Sequence, residues 1–269
     1  TGTIDATMHA NLTGLWGAIQ TTINDDLILF AANGNLYSLT KSSLATAAPT
    51  LVLSNWPQGG WALGLLRLGT GPLRCWWVRP RATNTAGVLT FGSETIQNQI
   101  VSTNQEGTDV QALDLGLKGI AQAMLIPSRS GIVAHDGERI MFTNGESVLE
   151  IQPFAARESY SDREFRIRQM WVRDPELYYV VNWRASPNGT GNTSEWVESY
   201  NFNTGAIHRV SARIDTSTTG SLGVLCSGSA PLSAQNNFLH RYSAGNWLRM
   251  YAPYSGENPY TQLRQNTNA

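Results

Sequence analysis

The residues with which this chain could do chemistry are twenty carboxylates, four histidines and two cysteines, spread over 269 positions. Glycosidic cleavage would need two carboxylates converging on one bond. A zinc site would need three or four converging His, Cys or carboxylate ligands. A nucleophile would need a base in reach, often signalled by a pattern such as Gly-x-Ser-x-Gly. None of these patterns occurs. His9, His135, His208 and His240 are far apart, and there is no His-Glu-x-x-His or Cys-x-x-Cys. His135-Asp136 reads as a turn at a strand end. Gly59-Gly60 leads into a strand, so it is not a phosphate loop opening a helix. Cys75 and Cys226 sit inside apolar runs and read as buried free thiols. The expectation is a chain with no catalytic residue, no metal and no cofactor, and hence not an enzyme.

What remains is binding chemistry. The segment Asn55-Trp-Pro-Gln-Gly-Gly-Trp61 holds two indoles, Trp56 and Trp61. The turn from Arg79 to Asn84 carries Arg81, and a long polar loop opens at Trp183 and Arg184. The loop from Phe154 to Glu164 carries Tyr160 between Arg157 and Arg163. Exposed Trp, Tyr and Arg dominate interfaces, and aromatic faces stack on sugar rings. Trp56, Trp61, Arg81, Tyr160, Trp183 and Arg184 are therefore the candidate binding residues. Trp76, Trp77, Trp171 and Trp196 are expected to fill space between sheets instead.

Bulk properties narrow the partners. A net charge of −1 disfavours nucleic acid, which needs a basic surplus. Of 19 basic residues only Lys41 and Lys118 are lysines, which leaves 17 arginines, the cation suited to planar recognition. Charged residues make up 14%, against about 25% in an average domain, and Ser, Thr, Asn, Gln and Gly fill the gap. No apolar run is long enough to span a membrane as a helix. Thr1 fits either loss of an initiator Met or cleavage from a precursor.

The elements that must position these residues are short strands. Leu27-Ile-Leu-Phe30 and Leu36-Tyr-Ser-Leu39 flank Asn33-Gly34, a strong hairpin signal. A strand at 15–19 precedes the pair and one at 51–53 follows it. Similar sets begin near residues 61, 120, 165 and 222. In the second set the third and fourth strands are expected at 87–91 and 96–101, and 109–116 as a turn or two of helix. Sets of four strands at this spacing are propeller blades. The fifth set lacks a fourth strand after Tyr251, while Thr3–Met8 is a strand left over at the other end. The chain is therefore expected to be all-β, a five-bladed β-propeller over residues 1–252 closed by its N-terminal strand beside Trp247–Tyr251. Residues 253–269 are expected as an extended polar C-terminal tail. A β-sandwich or jelly roll is the alternative. The five proposed inner strands, 15–19, 61–68, 120–126, 165–172 and 222–226, hold no Asp or Glu, which argues against a glycoside hydrolase.

Two resemblances bear on function. Leu29-Phe-Ala-Ala-Asn-Gly-Asn-Leu-Tyr37, followed by Pro57-Gln-Gly-Gly-Trp61, resembles one blade of the tachylectin-type lectins. That likeness implies a five-bladed propeller binding amino sugars. Pro127-Ser-Arg-Ser-Gly-Ile-Val133 with Gly137-Glu-Arg-Ile-Met-Phe142 is similar to blades of bacteriophage tail and virion propeller proteins. This second likeness implies divergent blades and a polar tail that embraces a neighbour. The expected function is a virion structural protein, a phage tail or surface component for assembly or host attachment. Its partners would be other virion proteins or copies of itself. The alternative is a secreted, extracellular carbohydrate-binding lectin with a cell-surface glycan as ligand.

Overall fold

A computed structural model describes residues 17–44, 46–80, 98–153, 164–184, 193–210, 214–215, 238–243, 246–251 and 263–266. Among the described residues the chain is all-β, with two single-turn 3-10 segments as its only helix. It divides into two compact units, residues 1–136 with 140–150, and residues 137–139 with 151–269.

The first unit holds three four-stranded antiparallel sheets, each running in chain order. The first sheet is β1 (Gly17–Gln20), β2 (Leu27–Ala32), β3 (Asn35–Thr40) and β4 (Thr50–Leu53). The second is β5 (Trp61–Arg67), β6 (Leu73–Pro80), β7 (Asn98–Thr103) and β8 (Gln111–Leu113). The third is β9 (Gln122–Ile126), β10 (Gly131–His135), β11 (Ile140–Thr143) and β12 (Val148–Ile151). The β2–β3 hairpin turns on Asn33 and Gly34, both at positive φ (50° and 74°), as the Asn-Gly pair predicts. Such up-and-down sheets of four strands agree with a propeller-like fold.

Packing follows from strand alternation. Side chains of β6 point in turn to opposite faces. Cys75 and Trp77 join Ile19, Leu29, Ala31, Leu36, Trp56 and Val101 in a core with the first sheet. Trp76 and Val78 join Ile100, Ile120, Ile132, Ala134 and Met141 in a core with the third. Both indoles are buried, and Trp76 Nε1 donates to the Leu66 carbonyl at 3.0 Å. The expectation that Trp76 and Trp77 fill space between sheets is met. The first strands β1, β5 and β9 lie beside one another. A Cβ on Gly17 would stand 2.7 Å from the Ala62 backbone nitrogen, so only glycine lets β1 approach β5 this closely.

The second sheet corrects two strand assignments. Residues 98–103, overlapping the fourth strand expected at 96–101, form the third strand, and the fourth is Gln111–Leu113 inside the segment expected to be helical. Residues 87–91 lie outside the described residues. The segment from Asn104 to Val110 is held by polar groups in place of apolar ones. Asn104 Oδ1 accepts from the Thr108 and Asp109 backbone N–H groups. Buried Arg74 donates from Nε to Ser102 Oγ at 2.8 Å, and from Nη1 to Asp109 Oδ2 at 2.8 Å. Its Nη2 reaches the Asp109 and Ser102 carbonyl oxygens.

The second unit holds a five-stranded sheet of β13 (Glu164–Arg173), β14 (Glu176–Arg184), β15 (Thr193–Asn201) and β16 (Ile207–Arg209), with β17 (Ile214–Asp215) also on β15. Trp171 stacks on Tyr178 at 5.5 Å and Tyr200 packs edge-on to Phe202 at 5.3 Å. Trp196 is buried, as expected of a space filler. A separate sheet joins β18 (Phe238–Ser243), β19 (Asn246–Tyr251) and β20 (Leu263–Asn266).

This last sheet overturns closure by an N-terminal strand at β19. One edge of β19 is taken by β18 and the other by β20. The strand beyond Trp247–Tyr251 in this three-stranded sheet therefore comes from the segment expected as a polar tail. Leu263-Arg-Gln-Asn266 has no apolar alternation, but ladder hydrogen bonds are made by the backbone whatever the side chains. Thr3–Met8 lies outside the described residues.

The Arg74 network generates a prediction. Arg74→Met should lower unfolding free energy by about 2–3 kcal/mol in urea titrations, because it leaves buried acceptors unpaired. Asp109→Asn should cost under about 1 kcal/mol, since the Asp109 carboxylate is 52% exposed and screened.

Candidate functional site

The site is the corner where the β4–β5 connection meets the end of β6. Asn55, Gly59 and Gly60 all adopt positive φ (60°, 87° and 105°), which turns the chain sharply on both sides of Trp56. A Cβ on Gly60 would stand 2.1 Å from the Val78 carbonyl oxygen, so the connection presses against β6 backbone at a spacing only glycine allows. The β2–β3 hairpin tip is adjacent, with Gln58 Nε2 3.6 Å from the Cβ position of Gly34.

These turns sink Trp56 into the core, leaving it 4% exposed. Trp77 meets it edge-on at 5.7 Å, and the Arg79 guanidinium lies over its ring at 4.6 Å. Arg79 belongs to strand β6, which runs on through Pro80, and not to a turn starting at Arg79. It shares a face with Cys75 and Trp77, and its partner across the ladder is Gln99 on β7. Burial lowers the pKa of Arg79, although it stays a cation in the physiological range. Arg79 Nε and Trp77 Nε1 are both buried and have no hydrogen-bond partner among the described residues.

The other candidates fall elsewhere. Trp61 is half-buried and packs against the core on the opposite face of the second sheet. Trp183 is buried near the end of β14, so it presents no exposed ring. Arg184 ends that strand, with Glu164 and Thr193 as its ladder neighbours. Arg81 and Tyr160 lie outside the described residues. Sequence reasoning missed Arg79 and Gln99. The signal was the alternation Cys75-Trp-Trp-Val-Arg79, which carries Arg79 onto the same face as Trp77.

Other groups with chemical potential are absorbed by structure. Cys75 is fully buried, and desolvation pushes its thiol up to about 12, offset in part by nearby Thr103 and Arg74. Glu198 is 0% exposed, accepts from Trp196 Nε1 at 2.7 Å, and faces Arg209 across the β15–β16 ladder. Arg209 also lies over the Trp196 ring at 4.8 Å. The strands β1, β5 and β9 carry no carboxylate, whereas β13 begins on Glu164. Among the described residues no three His, Cys, Asp or Glu gather as a metal site.

His135 at the end of β10 is 1% exposed, and burial pushes its pKa down to about 4, opposed weakly by Asp136. The unfolded chain then binds an extra proton below about pH 6.5. Stability should hold above that pH and fall by up to about 3 kcal/mol as pH drops from about 6.5 to about 4. Chemical denaturation of the chain and of His135→Gln across this window should give curves that converge at low pH.

No protein-family model matches the chain, and no curated protein matches its sequence. Among solved structures the chain is similar to one described as "Streptogramin B lyase structure". The two are 12% identical, the match covers 89% of this chain and 80% of the other, and the TM-score is 0.36. That structure is of a lyase, so the expectation that this chain is not an enzyme is withdrawn. A likeness of this degree assigns no reaction to the chain.

Proposed function

We propose that the chain is a virion structural protein, a phage tail or surface component, whose propeller serves assembly or host attachment. In this reading the sheets are five blades. The last comprises β18, β19 and β20.

One observation supports an assembly role above others. The outer strands of the first unit leave apolar side chains in water: Leu51 on β4 is 54% exposed, and Val148 and Leu149 on β12 are 53% and 40% exposed. Val110, just before β8, is 36% exposed. A sheet edge of this kind invites another chain, and solitary proteins guard it with Lys, Pro or bulges. The strands Thr50-Leu-Val-Leu53, Gln111-Ala-Leu113 and Val148-Leu-Glu-Ile151 carry no Lys, Arg or Pro, and a register shift against β3 marks a bulge at Val52 on the first of them. Their partners would be other virion proteins or further copies of the chain.

Sedimentation velocity tests this reading. The chain should associate with itself or with purified virion components, and the double variant Leu51→Lys, Val148→Lys should not. Its unfolding free energy should stay within about 0.5 kcal/mol of the parent, because both side chains are on the surface. A parent that remains monomeric and ignores virion components contradicts the proposal, as does a double variant that assembles normally.

A further inference from the structure

We propose that the corner formed by Trp56, Trp77 and Arg79 is a binding position for a carboxylate. It deepens the attachment half of the reading above and rests on it.

The contrast between two arginines of one strand carries the inference. Arg74 and Arg79 both lie on β6, on opposite faces. Arg74 is saturated by Ser102 and Asp109. Arg79 is half-buried as a side chain, and among the described residues it has no ion pair and no hydrogen bond from its buried Nε. A donor withdrawn from water is ordinarily paired, and leaving one unpaired costs about 1–3 kcal/mol. A second donor in the same corner, Trp77 Nε1, is also unpartnered although Trp77 is only 2% exposed. Trp56 is present as a support: its ring fixes the plane of the guanidinium, so little freedom remains to be lost on binding.

The chemistry selects the ligand. A planar fork of N–H donors matches the two oxygens of a carboxylate. Phosphate sites instead gather several cations or a helix N-terminus, and the charged side chain in this corner is Arg79 alone among the described residues. The neighbours are amides, half-buried Gln99 across the ladder and exposed Gln58 in the connection. They can hold uncharged polar groups beside the acid.

The test is a titration of the ¹⁵N-labelled full chain, following the Arg79 Nε–H and Trp77 Nε1–H resonances at constant ionic strength. The probes are acetate, D-glucuronate, D-glucose and chloride. Acetate and glucuronate should shift both resonances saturably, while glucose and chloride leave them in place. Arg79→Gln should abolish the acetate response at Trp77. Arg79→Lys, which keeps the charge and loses the fork, should weaken it at least about tenfold. Tighter binding of glucuronate than acetate supports the site with an acidic sugar as the source. Equal binding supports it with the carboxylate alone as the determinant. Equal shifts with glucose or chloride, no shift with either carboxylate, or undiminished binding by Arg79→Lys overturn it. If Arg79→Gln fails to fold, the parent titration with its chloride control still decides. A chain that assembles normally yet ignores both carboxylates loses this site and keeps its assembly role.

Discussion

Strand β6 is hydrogen-bonded along both edges and buried on both faces, and its unit is arranged around that constraint. Two-sided burial makes consecutive residues serve different cores, so Trp76 and Trp77 are neighbours in sequence yet pack against different sheets. Truncating either indole would leave a cavity costing about 3–5 kcal/mol. It also means that a charge within the buried stretch Arg74–Val78 cannot be left to solvent. Arg74 meets the requirement by clamping the segment from Asn104 to Val110, which brings Gly107 against the side chains of Leu29, Leu36 and Val52. Gln105 reaches the same first sheet by accepting from the backbone and hydroxyl of Thr22. One buried guanidinium thus fixes a loop that ties two sheets together.

Much of this was legible from residue types. The Asn33-Gly34 turn, the first strands of the first four sheets and the burial of Trp76, Trp77 and Trp196 all follow from local patterns that the fold does not contradict. The failures have physical causes. Gln111-Ala-Leu113 is three residues long and pairs through its backbone, so it leaves no hydrophobic period to read. Leu263-Arg-Gln-Asn266 is mostly polar for the same reason, and its absence from a pattern-based reading created a spurious need for an N-terminal partner at β19. Trp56, a candidate binding residue by type, lies in the core. What decided it was three left-handed residues around it, a backbone property that glycine content hints at and does not specify.

The candidate site shows the same limit. Its strongest members, Arg79 and Trp77, belong to a strand whose face was predictable, while their partner Trp56 comes from a connection whose path was not. Trp56 and Trp183, chosen as exposed binding platforms, are buried, and Arg79 rests on Trp56. Outer strands took the opposite course. Their apolar side chains face water, where a second chain would cover them. A scaffold stiffened by doubly buried strands can present both features without rearranging.

Native-state hydrogen exchange of the isolated chain tests this account most directly. The amides of Cys75 to Val78 on β6 should exchange only through global unfolding, with protection equal to the unfolding free energy measured by denaturant. Those of Val148 to Glu150 on the outer edge should exchange through local opening, orders of magnitude faster. Equal protection of β6 and β12, or faster exchange on β6, would contradict the claim that the second sheet is the shared wall of two cores.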